Sequence, residues 1–333
     1  MVASVTPPLP EELQVEVTGA CNLRCRMCLV RYRPPVDRVR GSMTVADFRR
    51  ILDSVPTVRR VTLQGLGEPL LAPDLFPMID EARRRGIEVG FNTNATLLSR
   101  ERCERLVDAG VGWLHVSVDG ATAATFEHIR DGARFDKVRR NLATLLAVKR
   151  AKSVHEPRVQ LNVVAMRRNA AELADLVRLA AELGVARCWV QNLSHDFSDT
   201  DPAGEYREIR AFVAREALGE WEAATAFADA REVADALGVE LRLPNAGGEA
   251  EVLPAEGEPS CDWPWRSAYV THDGHVQPCC MVMGSDRARL GDVHDEAFAE
   301  IWNGAAYREF RAGLLGDTPP AVCRGCAAYR RRF

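Results

Sequence analysis

The chain has 333 residues, of which 47% are apolar, so it can bury a sizeable core and hold two domains. Its 43 Lys and Arg residues against 47 Asp and Glu residues give a formal charge of −4, which argues against binding nucleic acid or a membrane surface through charge. No apolar run approaches the roughly 20 residues of a membrane span, and no signal peptide precedes the first elements. We therefore expect a cytoplasmic protein with a small-molecule substrate, in which clustered cysteines bind metal or carry out redox chemistry.

Short β-rich runs alternate with longer amphipathic stretches over the first 193 residues. The runs begin at Leu13, Arg59, Glu88, Gly112, Arg158 and Ala186. Helix signals lie between them, with a Thr cap at Thr44 and Gly stops at Gly86 and Gly110. Parallel strands need crossover helices, so this pattern predicts an α/β domain with six βα repeats over residues 1–200.

The composition changes after that region. Residues 203–238 are rich in Ala, Glu and Arg and predict helices, whereas the Pro, Gly and Glu of residues 244–260 predict an exposed linker. We expect a helical connector and linker over residues 201–250 and a separate domain over residues 251–333. The last part is short for another βα array, and metal binding would help it to fold.

Three cysteines follow the first predicted strand in the segment TGACNLRCRMCLV, as Cys21, Cys25 and Cys28. Thiolates hold iron–sulfur clusters, and three protein ligands leave one iron of a [4Fe-4S] cube open to an external ligand. A zinc site without its fourth ligand and three buried structural thiols are the alternatives. Zinc sites are typically marked by paired CxxC motifs or nearby His, which this segment lacks.

This loop resembles that of the radical S-adenosylmethionine (SAM) superfamily, which has a partial (β/α)6 barrel and whose open iron chelates the methionine end of SAM. LQGLGEPLL resembles the family's GGEP motif, with Leu66 in place of the first glycine. The resemblance implies that Gly67 lets the backbone approach the methionine amino group and that Glu68 is structural rather than a direct ligand. In FNTNATLL, Asn94 would lie near the cofactor.

The segment WLHVSVDG resembles the family's fourth strand. Strand alternation places Trp113, His115, Ser117 and Asp119 on one face. By resemblance, Ser117 and Asp119 would bond the ribose hydroxyls. Met27 occupies the position where the family places a hydrophobic residue against adenine. Asn162 and Arg130 are weaker matches to a ribose contact and a carboxylate contact, respectively.

A second set of cysteines lies near the C-terminus, at Cys261, Cys279, Cys323 and Cys326. Four thiolates alone suit zinc or an iron–sulfur cluster equally. The tail resembles the auxiliary-cluster domains of the SPASM and Twitch subfamilies. Because the sequence ends at AAYRRRF without another cysteine, the match is Twitch-like, with one auxiliary [4Fe-4S] cluster. Cys279 satisfies the G-x4-C spacing, which leaves Cys280 as a spare thiol, although either could be the ligand.

The resemblance implies reductive cleavage of SAM to a 5′-deoxyadenosyl radical, with a flavodoxin or ferredoxin-type reductant. The sequence also resembles the Twitch-type dehydrogenases of aminocyclitol antibiotic pathways. We therefore expect oxidation of a secondary alcohol of a carbohydrate or aminocyclitol, with the auxiliary cluster as electron acceptor. Four side chains could deprotonate or orient hydroxyls: Glu16, His115, His195 and Asp196. A buried structural role for His115 and a solvated loop at His195 and Asp196 are the alternatives.

Three other functions stay open. An epimerase would need a thiol hydrogen donor, for which Cys188 and Cys280 are candidates and Cys103, inside a helix, is not. A peptide-modifying enzyme is less favoured, because the cluster motif begins at Cys21 and leaves no room for a leader-recognition module. A two-cluster electron carrier would have no use for the GLGEP motif or the polar strand face.

Overall fold

The computed structural model describes residues 4–32, 41–245 and 260–330. Its strands are β1 Glu12–Val15, β2 Arg60–Leu63, β3 Glu88–Thr93, β4 Trp113–Ser117, β5 Arg158–Val164, β6 Arg187–Gln191, β7 Glu240–Arg242, β8 Ser267–Val270, β9 His275–Gln277 and β10 Gly291–Asp292. Its α-helices are α1 Leu29–Tyr32, α2 Val45–Ser54, α3 Leu75–Arg84, α4 Arg100–Asp108, α5 Ala123–Ile129, α6 Phe135–Ala151, α7 Leu173–Leu183, α8 Arg207–Glu216, α9 Glu220–Leu237, α10 Trp263–Arg266, α11 Phe298–Trp302, α12 Ala305–Leu315 and α13 Ala321–Arg324. Short 3-10 helices lie at Pro69–Leu71 and Ala170–Glu172.

One sheet runs through the molecule in the order β10-β9-β8-β1-β2-β3-β4-β5-β6-β7. Strands β1 to β7 pair in parallel with their neighbours, as crossover helices require. The expected fold class, a parallel α/β partial barrel followed by a small cluster-binding domain, is confirmed.

Local signals set the ends of the helices. Thr44 caps α2 by accepting a hydrogen bond from the Asp47 N–H, and Ser99 caps α4 in the same way. Gly86 and Gly110, with φ of +74° and +67°, follow α3 and α4, as the glycine stops predicted. The predicted helical connector forms two helices, α8 and α9, which residues 217–219 separate.

The strands present an apolar face to the helices and a polar face to the barrel interior. On β3, β4 and β6 the outward side chains, such as Phe91, Val116 and Val190, are almost fully buried. The alternating inward positions carry Asn92, Ser117 and Gln191, which line an internal cavity. Since side chains alternate along a strand, each strand serves both the core and the cavity.

The C-terminal part adds β8 to the barrel edge, parallel to β1, and then turns back through antiparallel β9 and β10. Its helices bind the N-terminal segment of the chain through hydrogen bonds: Trp302 Nε1 donates to the Pro8 carbonyl, and Arg311 Nη1 donates to the Val5 carbonyl. The predicted domain boundaries remain a prediction, and most of the predicted linker, residues 246–259, lies outside the described residues. Across the part of the chain that the structure describes, no helix combines the length and apolar character of a membrane span.

Candidate functional site

Cys21, Cys25 and Cys28 lie on the loop between β1 and α1, and none of them forms a disulfide. Two backbone hydrogen bonds of 2.9 Å fasten this loop to residues 129–131. The three cysteines line one cavity of about 200 Å³. The fold thus gathers the predicted ligands at the carboxyl ends of the strands, where barrel sites are built.

The thiols fit an iron–sulfur cluster. Burial raises the pKa of Cys21 to about 11 and also raises the pKa of Cys25, while the Arg130 guanidinium opposes both rises. Arg130 Nη1 lies 3.9 Å from Cys25 Sγ. Coordination by iron removes the proton of a thiol, and the adjacent guanidinium favours the negative charge that results, so this site suits an iron–sulfur cluster.

Most of the residues predicted to contact the cofactor surround the same cavity. Those that line it are Met27, Gly67, Glu68, Asn94, Ser117, Arg130 and Asn162. Ser117 and Asn162 are register partners across β4 and β5. The structure therefore brings the segments of five different strands to one place, although their contacts with the cofactor remain a prediction.

Glu68 is fully buried and has a structural role. Its Oε1 accepts from Thr93 Oγ1 at 2.6 Å, and its Oε2 accepts from the Asn94 N–H at 2.8 Å. Burial raises its pKa, and those hydrogen bonds oppose the rise. Glu68 thereby fastens the turn after β2 to the end of β3.

Gly67 allows two loops to touch. A Cβ at this position would stand 2.1 Å from the Thr18 carbonyl oxygen and 2.6 Å from that of Ala20. Both obstacles are backbone atoms of the segment that leads to the cysteine loop. The expected reason for glycine here was a close approach to the cofactor, and the structure shows a close approach to this segment.

Asp119 differs from its predicted role as a ribose contact. Its side chain is fully buried and does not line the cavity: Oδ2 accepts from Arg130 Nε at 2.5 Å, and Oδ1 accepts from the Val164 N–H at 2.8 Å. Both carboxylate oxygens are therefore used inside the protein. Asp119 holds Arg130 in place at the cavity.

Two side chains predicted to be catalytic do not act in the first cavity: His115 does not line it, and Glu16 has both carboxylate oxygens engaged by other protein groups. His115 shares the inner face with Ser117 but does not line the cavity, and burial, together with Arg60 and Arg158, lowers its pKa to about 4. Glu16 is buried, its Oε1 accepting from the Leu66 N–H at 2.7 Å and its Oε2 lying 2.9 Å from His272 Nδ1. Glu16 thus ties the turn after β2 to the C-terminal part of the chain, which corrects its assignment as a base.

The Cys188 side chain points away from the cavity, so it cannot donate a hydrogen atom there. Strand alternation places it on the helix side of β6, opposite Gln191, and it is 1% exposed. Burial raises its pKa to about 12. Cys188 is a core residue, as is Cys103 in α4.

The C-terminal cysteines come together as predicted. The half-buried Cys279 thiol interacts electrostatically with Cys261, Cys280, Cys323 and Cys326; desolvation raises its pKa most, and these four thiols raise it further. Among residues 4–32, 41–245 and 260–330, no three His, Cys, Asp or Glu side chains converge on a position for a single metal ion. An iron–sulfur cube spreads its thiolates over separate irons.

Cys280 lies within this group rather than in the SAM cavity. After burial, the main influences on its pKa, which is raised to about 12, include Cys326 and Cys261. It is absent from the lining of the first cavity. The structure therefore gives five neighbouring thiols for one cluster and provides no contact between Cys280 and the cavity of the first cluster.

His195 and Asp196 are structural in part. The Phe197 N–H donates to His195 Nδ1 at 2.7 Å, so Nε2 carries the proton and donates to the Val322 carbonyl at 2.6 Å. Asp196 Oδ2 pairs with Arg330 Nη1 at 2.9 Å. Both residues line a second cavity, beside the C-terminal cysteines.

Sequence analysis missed several residues of these sites. Asn92 and Gln191 line the first cavity, and the alternation that selected Ser117 would have found them. Arg287, a buried cation beside His195, lies in an irregular loop where no pattern marks it.

Residues 15–180 match the model of the Radical SAM superfamily, and residues 261–327 match that of SPASM, an iron–sulfur cluster-binding domain. The chain is 29% identical to the AdoMet-dependent heme synthase of Methanosarcina barkeri over 96% of its own length and 91% of the relative's. It is 27% identical to the PqqA peptide cyclase of Gluconobacter oxydans, over 98% and 85% of the two chains. Streptococcus suis SuiB bound to its precursor peptide SuiA has the same fold, with a TM-score of 0.72 and 15% identity over 97% of this chain and 71% of SuiB.

The cavity with its three cysteines, the matching barrel and the second cysteine set agree with these likenesses. They establish the expected cofactors, SAM with a [4Fe-4S] cluster in the barrel and an auxiliary iron–sulfur cluster in the C-terminal domain. The chain is a radical SAM enzyme that carries a SPASM-type cluster-binding domain.

Proposed function

We propose that this enzyme modifies a peptide by abstracting a hydrogen atom from a residue held between its two clusters. The observation that carries the proposal is the position of the second cavity, of about 150 Å³. Gln191 lines the first cavity and the next residue, Asn192, lines the second. Gly325 and Ala327, on either side of Cys326, form another wall. A substrate in this cavity would have the SAM site on one side and the auxiliary cluster on the other.

The walls of the second cavity favour an amino-acid side chain over a polyhydroxylated ring. Leu193, Val213 and Leu218 provide apolar surface. His195 has both ring nitrogens engaged, and Asp196 is paired with Arg330. Sugar hydroxyls that leave water need several polar partners; these two are already occupied, and the other polar residues of the lining are Asn192, Glu220 and Asn245.

The relatives support the same choice. One is named a peptide cyclase, and a structure of the same fold holds a precursor peptide, whereas the expected resemblance to carbohydrate and aminocyclitol enzymes finds no support among them. The heme synthase name makes a tetrapyrrole the competing substrate class.

When bound and reduced, the first cluster and SAM would supply a 5′-deoxyadenosyl radical, which takes a hydrogen atom from a substrate C–H bond. This chain's residues would then position the reactants: Asp119 holds Arg130 beside Cys25, and the polar inner face of the strands lines the cavity. An auxiliary cluster held by the C-terminal cysteines would supply an acceptor for the electron that a substrate radical loses together with a proton, and the product would be an oxidised or cross-linked peptide.

A substrate panel tests the proposal. The reconstituted enzyme is incubated with SAM and dithionite, and with random-sequence peptides, aminocyclitols or iron porphyrins in separate reactions. We expect that only peptides increase 5′-deoxyadenosine formation and change in mass. Stimulation and conversion in the aminocyclitol or porphyrin reactions alone would overturn the peptide assignment.

Filling the second cavity should reduce the response to peptide. Ala217, half-buried at the end of α8, lines this cavity, so Ala217→Trp would occupy the space meant for the substrate. We expect peptide-stimulated 5′-deoxyadenosine formation to fall at least about tenfold, the effect of about 1.4 kcal/mol of lost binding. The control is Ala297→Trp, an exposed position before α11 that lines a different surface cavity. Equal activity of the two variants, at equal iron content, would contradict the assignment of the cavity.

A further inference from the structure

A buried ion pair lies between the barrel and the C-terminal cysteines. Arg287 Nη2 contacts Asp199 Oδ1 at 2.6 Å, and Arg287 Nε contacts Asp199 Oδ2 at 3.0 Å, so the pair is bidentate. The two side chains are 3% and 5% exposed. Removing two charges from water is costly, and a buried pair often contributes little net stability. Its position suggests another use.

The guanidinium of Arg287 connects the two segments that carry the auxiliary cysteines. Its Nη1 donates to the Val282 carbonyl at 2.6 Å, two residues after Cys280. Its Nη2 packs against the His195 ring, 2.9 Å from Nε2, without a hydrogen bond because both groups are donors; Nε2 donates instead to the carbonyl of Val322, directly before Cys323. The backbone of His195 also forms an antiparallel bridge with Cys326. Arg287 is therefore placed against the wall of the cysteine cluster.

Both charges of the pair reach the cysteine cluster, and with opposite signs. Arg287 and Asp199 both act electrostatically on Cys323, the first favouring and the second disfavouring negative charge there. Arg287 acts on Cys326 in the same sense as on Cys323. The same fields would act on any electron added to a cluster held by these thiolates, and with little screening, because the pair is buried.

We propose that Arg287 is a positioning residue that raises the reduction potential of the auxiliary cluster, and that Asp199 limits this rise. A cation stabilises the more negative, reduced state of the cluster, whereas a carboxylate stabilises the oxidised state. Reduction of the cluster adds one electron, which dithionite supplies in the test below, and no bond forms or breaks. The proposal depends on the auxiliary cluster and is independent of the substrate class.

The test measures the potential rather than turnover. The chain with Cys21, Cys25 and Cys28 all replaced by Ala retains the auxiliary cysteines and the two core cysteines, Cys103 and Cys188, so one cluster signal can be followed. Dithionite-driven redox potentiometry with electron paramagnetic resonance (EPR) detection then compares Arg287→Gln, Arg287→Lys and Asp199→Asn in this background. We expect Arg287→Gln to shift the potential negative by about 59 mV, which corresponds to a tenfold weaker affinity for one electron. Asp199→Asn should shift it positive, and Arg287→Lys should stay close to the unchanged chain.

The opposite signs distinguish this role from a structural one. Arg287→Gln and Asp199→Asn each remove one charge and break the same ion pair. A merely structural contribution of the pair would therefore move both potentials in the same direction or leave both unchanged. Either result overturns the proposal. If Arg287→Gln does not retain iron, Asp199→Asn decides alone: a positive shift supports the proposal, and an unchanged or lower potential contradicts it.

Discussion

Replacing Cys25 by Ala should abolish the formation of 5′-deoxyadenosine from SAM. Cys25 is one of three thiols on the loop after β1 and lies beside Arg130. With two thiolates left, the site cannot hold a cube that has a single open iron for SAM. The measurement is chromatographic detection of 5′-deoxyadenosine after reduction with dithionite, together with iron content and the EPR spectrum.

The matched control is Cys103→Ala. Cys103 is a fully buried thiol in α4 that belongs to the hydrophobic core, away from both cysteine sets. This variant should retain both cluster signals and SAM cleavage. Cleavage by Cys25→Ala at the rate of Cys103→Ala would show that the loop does not hold the catalytic cluster.

Gly67→Ala should cause the second largest loss. Its Cβ would meet the Thr18 carbonyl oxygen at 2.1 Å, and backbone cannot turn away as a flexible side chain can. Overpacking of this kind costs about 1–3 kcal/mol. The displacement would also separate the turn after β2 from the cysteine loop, so we expect both a lower melting temperature and weak SAM binding, measured by calorimetry and equilibrium dialysis.

Gly316→Ala is the corresponding control. The added Cβ would lie 3.4 Å from the Ala312 carbonyl oxygen, an ordinary contact, and the backbone φ of −101° suits alanine. It should bind SAM like the unchanged chain. Normal SAM binding and stability in Gly67→Ala would mean that the two loops can move apart at no cost to the site.

The elements and the cysteine loops could be predicted because their signals are local. Alternating β-rich and amphipathic stretches produced the order of β1 to β6, and the glycines after α3 and α4 ended those helices. The placement of β8 beside β1 is a long-range pairing between distant parts of the chain, and nothing local specifies it.

The catalytic assignments failed where side-chain direction or pairing decided the role. Cys188 and Val190, two positions apart on β6, both face the helices. In a strand with several apolar residues, the sequence does not show which of the two alternating sets of side chains faces the barrel interior. Glu16 and Asp119 carry the charge of a base or a ligand, but their oxygens are already used by Leu66, His272, Arg130 and Val164. Such pairing depends on residues far away in sequence.

Freezing a single turnover shows whether a substrate between the two clusters passes its electron to the auxiliary cluster. The enzyme, loaded with SAM, one electron per molecule and a peptide that stimulates cleavage, is examined by EPR as product forms. We predict one 5′-deoxyadenosine per modified peptide, with the reduced signal of the auxiliary cluster appearing at the same rate as product. Product that accumulates while the auxiliary cluster stays oxidised would show that the electron does not pass to that cluster.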